Sequence, residues 1–215
     1  MALYPRAKKL LIPPGANDPK IVARLGILHV DAVNAESLHE WFKDKSGGIE
    51  SHFHIPKVKQ IEQYRDTKFQ ADANHLANDF AISVETQGFA QEPWNDKQLD
   101  DIKDLMLWAE EVHGIPLKKA TKWDGEGWGY HILFGSPGKW TPSVKSCPGP
   151  LRIKQFNEIL VPWMKEQNDM FTDTDRKLLI DTMAKISKVE ADLERHDKKE
   201  RSRFNRIKDA ILSKP

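Results

Sequence analysis

Two short apolar segments, residues 25–30 and 79–85, constrain the fold of this chain more than any other feature of its sequence. Apolar runs of this length are typical of strands that are buried on both faces of a sheet. Each run also carries a polar residue near its end, His29 in the first and Glu85 in the second. Strands of this kind need helices on both faces of their sheet, so the two segments predict an α/β fold.

Helical patterns alternate with strand patterns along the chain. Apolar residues recur at helical spacing in residues 35–43, 96–112 and 152–164, and residues 51–64 alternate as strands that Pro56 separates. This order of elements predicts an α/β domain with a central mixed β-sheet flanked by helices.

Two segments lack a regular pattern. Residues 1–20 are rich in proline, which predicts an extended arm without regular secondary structure. Residues 121–150 are rich in glycine, tryptophan and proline, which predicts a long loop. Compact domains usually keep loops of this length for a functional site, so we expect one here.

The charges divide the chain into two parts. The whole chain carries a net charge of only +1, but residues 176–215 hold 12 Lys and Arg against 7 Asp and Glu. A helical pattern runs through the same region, so we predict a domain at residues 1–170 and a basic C-terminal helical segment at residues 171–215. The apolar stripe of this segment allows self-association or docking on the domain, and the near-neutral total argues against a nucleic-acid partner.

Other features exclude further classes of protein. No window approaches the roughly 18 consecutive apolar residues of a membrane helix, so no membrane partner is expected. The first residues lack the apolar run and cleavage site of a secretory signal peptide. Cys147 is the single cysteine, so no intrachain disulfide can form, and a lone thiol of this kind is a candidate ligand or nucleophile.

Three residues have the chemistry of a zinc site: His29, His131 and Cys147. Two imidazoles and one thiolate suit Zn²⁺ and leave a fourth position open, although their spacing matches no local motif. Each residue also has a plainer interpretation, because histidine and cysteine commonly pack inside cores. A rival cluster is His52 and His54, which point to one face of a predicted strand, with His29 or His75 as a third ligand.

Five segments taken together resemble the zinc-dependent N-acetylmuramoyl-L-alanine amidases, which form the type 2 amidase and peptidoglycan recognition protein superfamily. Within this superfamily the chain resembles a bacteriophage endolysin. The resemblance covers roughly residues 20–165, and the order of the segments is specific although each is weak alone. The segments are residues 28–30 (LHV), 51–55 (SHFHI), 78–85 (NDFAISVE), 129–131 (GYH) and 145–150 (KSCPGP).

The resemblance implies a type 2 amidase fold and hydrolysis of the amide bond between N-acetylmuramic acid and L-alanine of bacterial peptidoglycan. It implies that His29, His131 and Cys147 hold zinc, and binding members without catalysis typically lack the third ligand. Glu85 corresponds to the general base, which takes a proton from the attacking water and passes it to the departing amine. Lys145 corresponds to the residue that stabilises the negative oxygen of the tetrahedral intermediate.

The resemblance also suggests substrate contacts. Some phage members have a catalytic tyrosine where this chain has Ser51, so the role of base falls on Glu85 alone. His54 is expected to be structural, whereas the expected groove residues are Ser51, His52, Asn74 and Trp128.

The tryptophans divide into two groups. Those around the long loop are candidates for aromatic surface in the groove or for loop anchors, and they are Trp94, Trp123, Trp128 and Trp140. Trp41 and Trp108 are instead expected to be core or anchoring residues.

Three functions follow as hypotheses. The leading one is an antimicrobial wall-lysing enzyme that is made in the host cytoplasm without a signal peptide and acts at the cell wall after release. The second is a peptidoglycan-binding module without catalysis. The third is a nucleic-acid-associated protein that acts through the basic segment, and the net charge of +1 argues against it.

Overall fold

The computed structural model describes residues 1–13, 19–44 and 50–170, together with Thr182 and Lys185. The chain forms two compact units, residues 1–167 and residues 168–215. Apart from Thr182 and Lys185, the helical segment predicted at residues 171–215 lies outside the described residues. Within the described part of the chain, no helix combines the length and the apolar character needed to cross a membrane.

The described residues of the first unit form a six-stranded mixed sheet with the strand order β1-β4-β3-β5-β2-β6. The pair β3–β4 is antiparallel and the other neighbouring pairs are parallel. This arrangement confirms the predicted central mixed sheet. The strands are β1 (Lys8–Lys9), β2 (Leu25–Leu28), β3 (Phe53–Ile55), β4 (Glu62–Gln63), β5 (Ala81–Thr86) and β6 (Gly127–Tyr130).

Helices flank this sheet, and the longest of them has well-defined ends. It begins after Asn95, whose side chain accepts a hydrogen bond from the backbone of Gln98 in a capping box, and it ends at Gly114 in the left-handed conformation. The helix predicted at residues 96–112 is therefore confirmed. The helices are α1 (His39–Asp44), α2 (Asp96–His113), α3 (Pro150–Gln155) and α4 (Val161–Met170), with a π-helical turn at Phe156–Leu160 and a 3₁₀ segment at Asp72–Ala77.

Both faces of the central strands are buried. On one face Leu28, Ile82 and Val84 pack in a large cluster with the apolar stripe of α2, and on the other Leu25 and Ile27 belong to a smaller cluster around Trp140. Successive residues of a strand point to opposite faces, so a strand buried on both faces reads as a continuous apolar run. This packing explains the pattern of the two apolar segments.

Two segments are more regular than the sequence predicts. The arm at residues 1–20 contributes β1, which pairs with β4. The loop predicted at residues 121–150 contains β6, which pairs with β2 at the edge of the sheet. The glycines of residues 127–130 mask the strand pattern there, but they leave room for large neighbours such as the ring of Trp140 against Gly129.

A close approach between β2 and β6 leaves no room for a side chain at Gly26. Gly26 lies beside Trp128 in the register of the two strands, and a methyl group at this glycine would overlap the fully buried Trp128 ring. The ring cannot move aside without disturbing the large apolar cluster to which it belongs.

Gly26→Ala is expected to lower the free energy of unfolding by about 2 kcal/mol, because extra volume in a packed core forces strain on its neighbours. Urea denaturation measures this difference. Gly125→Ala is the matched control, since the atoms nearest to its added methyl belong to Lys122 and lie at 3.3 Å or more. Equal stability of the two variants would contradict the close packing of Gly26 against Trp128.

Candidate metal centre

Three neighbouring parallel strands end at one edge of the sheet and bring three polar side chains together. His29 follows β2, Glu85 lies near the end of β5, and His131 follows β6. Backbone hydrogen bonds between the strands continue through these positions. The His29 N–H donates to the Val84 carbonyl at 2.8 Å, and the His131 N–H donates to the Leu28 carbonyl at 3.1 Å. The carboxyl ends of parallel strands are where such sheets bind ligands.

Cys147 reaches this edge from the loop before α3. The Val30 backbone N–H donates to Cys147 Sγ at 3.2 Å, and Sγ lies 3.8 Å from His29 Nδ1. The loop turns through Gly149, which has a φ of +103° and packs so tightly on the Ala90 carbonyl that any side chain would overlap it. Gly149 is therefore what allows the loop to bring its thiol to the sheet.

The donor atoms of His29, His131 and Cys147 fit one metal ion. One ligand atom from each residue lies within 4.8 Å of the other two. Nitrogen and sulfur ligands of a tetrahedral Zn²⁺ are separated by about 3.5 Å, so small side-chain adjustments suffice to close the site. Among the described residues, this is the one group of three His, Cys, Asp or Glu side chains close enough to share an ion.

Hydrogen bonds determine which ring nitrogen of each histidine is available to bind a metal. His29 Nε2 donates to Asn74 Oδ1 at 2.8 Å, and His131 Nε2 donates to the Trp140 carbonyl at 2.9 Å. Both Nδ1 atoms therefore keep their lone pairs for a ligand. Burial lowers the pKa of His29 well below its ordinary value and that of His131 to about 4, which keeps both rings neutral as metal ligation requires.

The electrostatics of Cys147 and Glu85 favour a cation between them. Burial raises the pKa of the Cys147 thiol, and the nearby Glu85 raises it further. Burial, followed by the charge of Asp31, raises the pKa of Glu85 to about 8. Glu85 Oε1 lies 3.9 Å from His29 Nδ1, so a cation bound at His29 would act on both acidic groups.

Two charged residues that the sequence analysis did not single out surround Glu85. Arg152 is fully buried, donates to Thr86 and to the carbonyls of Gln87 and Glu92, and lowers the pKa of Glu85. Asp31 acts in the opposite direction. Its position two residues beyond His29 could have drawn attention to it, whereas nothing in the sequence around Arg152 marks that residue.

Lys145 lies in the wall of the same cleft. A cavity of about 340 Å³ is lined by His29, Glu85, His131, Lys145 and Cys147, among others. The Lys145 backbone is fixed through Ser136, whose hydroxyl accepts from the Lys145 N–H at 2.6 Å and donates to its carbonyl at 2.7 Å. The structure thus brings together all five residues predicted to be ligands or catalytic groups.

The predicted substrate residues lie in the interior instead. Ser51, His52, Asn74 and Trp128 have no exposed surface, so none of them offers a side chain to a substrate in this structure. Ser51 Oγ donates to the Phe53 carbonyl. The groove role predicted for these four residues is corrected to a structural one for Ser51, His52 and Trp128, and to orientation of His29 for Asn74.

The rival histidine cluster does not form a site. His52 Nδ1 pairs with Ser83 Oγ at 3.1 Å and its Nε2 pairs with the Phe69 carbonyl at 2.9 Å. His54 is fully buried with its Nε2 3.5 Å from Asp31 Oδ2. The structural role expected for His54 agrees with this burial.

A mixed sheet with two histidines at adjacent strand ends and a cysteine brought to them by a loop is the arrangement that the resemblance to the type 2 amidases predicts. Residues 19–150, more than half of the chain, match the family model described as N-acetylmuramoyl-L-alanine amidase. The chain belongs to this family.

Solved structures share the fold at low sequence identity. The endolysin N-acetylmuramoyl-L-alanine amidase LysCS from Clostridium intestinale is 16% identical, with a TM-score of 0.52 over 69% of this chain and 91% of that chain. Human PGRP-IβC in complex with glycosamyl muramyl pentapeptide is 13% identical, with a TM-score of 0.54 over 73% and 97%. Drosophila peptidoglycan recognition protein SD is 14% identical, with a TM-score of 0.52 over 71% and 94%. No curated protein sequence matches the chain.

The pKa of Glu85 predicts how the stability of the metal-free protein depends on pH. Between about pH 5 and pH 8 the folded carboxyl keeps its proton while the unfolded one loses it, so Glu85 lowers the free energy of unfolding as the pH rises. Glu85→Gln has no carboxyl to titrate, so it lacks this decrease in the free energy of unfolding. The stability of the variant relative to the wild type is therefore expected to increase with pH, as measured by urea denaturation in the presence of EDTA. A difference that does not change with pH would contradict the raised pKa.

Proposed function

We propose that this protein is a zinc-dependent N-acetylmuramoyl-L-alanine amidase that hydrolyses the amide bond between N-acetylmuramic acid and L-alanine in bacterial peptidoglycan. The observation that carries the proposal is the joint presence of His29, His131 and Cys147 with Glu85 in one open cleft. Family membership supplies the class of reaction, and these four side chains supply its chemical requirements.

The residues of the cleft have distinct roles in this reaction. His29, His131 and Cys147 would hold zinc, which when bound supplies a Lewis acid for the amide carbonyl and activates water. Glu85 accepts the proton of the attacking water and donates it to the departing amine of L-alanine. Lys145 donates to the carbonyl oxygen as it gains negative charge.

The same site argues for catalysis rather than binding alone. A module that only recognises peptidoglycan needs neither three converging donor atoms nor a largely buried carboxyl such as Glu85 beside them. This chain has both, and Asn74 and the Trp140 carbonyl orient the two imidazoles for ligation. Burying these polar groups costs free energy when no metal is bound. A bound cation offsets this cost through its interactions with the imidazoles, the thiol and the carboxyl.

The biological role follows from the reaction. Cutting this amide bond separates glycan strands from their peptide cross-links. Loss of the cross-links weakens the bacterial wall and leads to lysis. We propose a bacteriophage endolysin with antimicrobial action, made in the host cytoplasm and active at the wall. Structural likeness to an endolysin amidase supports this role.

Metal dependence and the site of cleavage can be tested together. Chelation is expected to abolish clearing of a bacterial wall suspension, and added Zn²⁺ is expected to restore it. Mass spectrometry of the digested wall should then show new L-alanine amino termini and intact glycan strands. Full activity of Cys147→Ala, or cleavage of a sugar–sugar bond instead, would refute the proposal.

Glu85→Gln and Lys145→Met are expected to retain zinc but to lower kcat about 100-fold or more, since each removes a group that acts only as the amide reacts. Steady-state cleavage of a soluble muramyl peptide at saturating concentration measures kcat, and metal analysis measures the bound zinc. Lys122→Met is the control for charge, because Lys122 is exposed outside the cleft. Loss of metal in Glu85→Gln would show that Glu85 is a ligand rather than the base.

A further inference from the structure

One peptide group at the metal centre contacts two other segments of the chain, one on each side. It joins His29 to Val30. Its carbonyl accepts a hydrogen bond from the Thr86 hydroxyl at 2.5 Å, and its N–H donates to Cys147 Sγ at 3.2 Å. A trans peptide group is planar, and its carbonyl and N–H point in opposite directions. The hydrogen bond at the carbonyl therefore constrains the direction in which the N–H meets the sulfur.

The Thr86 hydroxyl is buried and uses its full hydrogen-bonding capacity. It accepts from Arg152 Nη1 at 2.8 Å and from Trp94 Nε1 at 2.9 Å. Guanidinium and indole N–H groups can only donate, so the single hydroxyl proton must point to the remaining partner, the His29 carbonyl. The two donors thus set the direction of the bond that Thr86 makes to the peptide group.

Arg152 holds this hydroxyl in place by binding the segment that follows β5. Its guanidinium also donates to the backbone carbonyls of Thr86 at 3.3 Å, Gln87 at 2.9 Å and Glu92 at 3.1 Å. Gly88 has a φ of +133°, and a side chain there would overlap Arg152 Nη2. A buried charge costs free energy unless it is hydrogen bonded, so these oxygens are what allow the guanidinium to lie in the interior.

The same arginine is connected to the third proposed ligand through the chain. Arg152 is the third residue of α3 and follows Cys147 by five positions. The turn between them packs through Gly149 on the Ala90 carbonyl, in the segment that Arg152 binds. The contacts therefore form a closed ring, which runs from Cys147 through α3, Arg152, the Thr86 hydroxyl and the peptide group back to the Cys147 sulfur.

This ring acts on two proposed ligands at once. It fixes the backbone of His29, whose ring is separately oriented by Asn74, and it directs an N–H to the Cys147 sulfur. A hydrogen bond to an ionised acceptor is stronger than one to a neutral acceptor, so this N–H favours a metal-bound thiolate. Groups that contact ligands without touching the metal commonly change metal affinity by about 10- to 100-fold.

We propose that Thr86 and Arg152 are positioning residues of the metal centre, which hold the peptide group between His29 and Val30 so that its N–H meets the Cys147 sulfur. This inference rests on the zinc site of the proposed function. Both residues lie outside the segments that carry the family resemblance.

Cobalt binding measures this role without any substrate. Co²⁺ suits the same nitrogen and sulfur ligands as Zn²⁺ but binds less tightly, and its bond to Cys147 gives a thiolate-to-cobalt charge-transfer absorption. Thr86→Val keeps the shape of the side chain and removes its hydroxyl. It is expected to need about tenfold more free Co²⁺ for half-saturation of this absorption. Thr86→Ser keeps the hydroxyl, so it should restore most of the affinity.

Thr67→Val is the matched control. Thr67 is also a buried threonine, and its hydroxyl donates to the Ala2 carbonyl at 3.0 Å and pairs with His113 Nε2 at 2.7 Å, but it does not line the metal cleft. Urea denaturation in EDTA should show a lower free energy of unfolding for both valine variants. Only Thr86→Val should bind Co²⁺ more weakly, with circular dichroism showing that each metal-free variant is folded.

Arg152→Lys tests the connection through the guanidinium, because lysine keeps the charge but cannot reach the same set of oxygens. It should also weaken Co²⁺ binding, and its effect combined with Thr86→Val should be smaller than the product of the two single effects, since both act through one hydrogen bond. Independent effects would overturn the connection from Arg152 to the metal through Thr86. If Arg152→Lys does not fold, the comparison of Thr86→Val with Thr86→Ser decides the proposal.

The titration separates failure of this inference from failure of the proposed function. If the wild type binds Co²⁺ through Cys147 and Thr86→Val binds it equally well, the positioning role is wrong while the metal site stands. If the affinities differ but the zinc-loaded wild type releases no L-alanine amino termini from bacterial walls, the amidase function fails and the positioning role holds. If the wild type shows no thiolate-to-cobalt absorption, both are wrong.

Discussion

The site depends on the parallel pairing of β5, β2 and β6, because neighbouring strands that run in one direction end at the same edge of the sheet. His29, Glu85 and His131 are far apart in sequence, and this pairing alone makes them neighbours. The register is equally strict. Leu28 points into the large apolar cluster, so a shift by one residue would turn His29 into that cluster and Leu28 toward the cleft. Burial of both faces of β2 therefore fixes the ligands as well as the core.

Burial at this edge also determines the charge state of the site. It lowers the pKa of both histidines and raises the pKa of Glu85 and Cys147, so each group is pushed toward its neutral form. A divalent cation reverses this preference for the thiol and the carboxyl while it uses the neutral imidazoles unchanged. The positive charge of Arg152 partly stabilises the Glu85 carboxyl when it is ionised. The guanidinium of Arg152 also donates hydrogen bonds to backbone carbonyls. The surroundings of the site thus suit a bound cation better than an empty cleft.

The sequence was sufficient to predict the sheet and α2, because continuous apolar runs and helical spacing report burial directly. The five candidate ligand and catalytic residues were instead implied by the family resemblance, and the structure places them around one cleft. Side-chain orientation was harder to predict. His52 occurs in a motif segment and Trp128 directly precedes one, but both side chains are buried. Trp41 occurs in a helical pattern and lines a cavity. A short helix such as α1 has too few turns for its pattern to show which face is buried. Asp31 and Arg152 change the pKa of Glu85 although they lie on other segments of the chain. A local sequence pattern does not show such a contact.

Glu85 lies beside the proposed metal ligands, with its Oε1 3.9 Å from His29 Nδ1, so it is placed to act as the base of the proposed reaction. Ser51, which stands where some relatives carry a tyrosine, is buried and bonded to the Phe53 carbonyl, so it leaves the base role to Glu85.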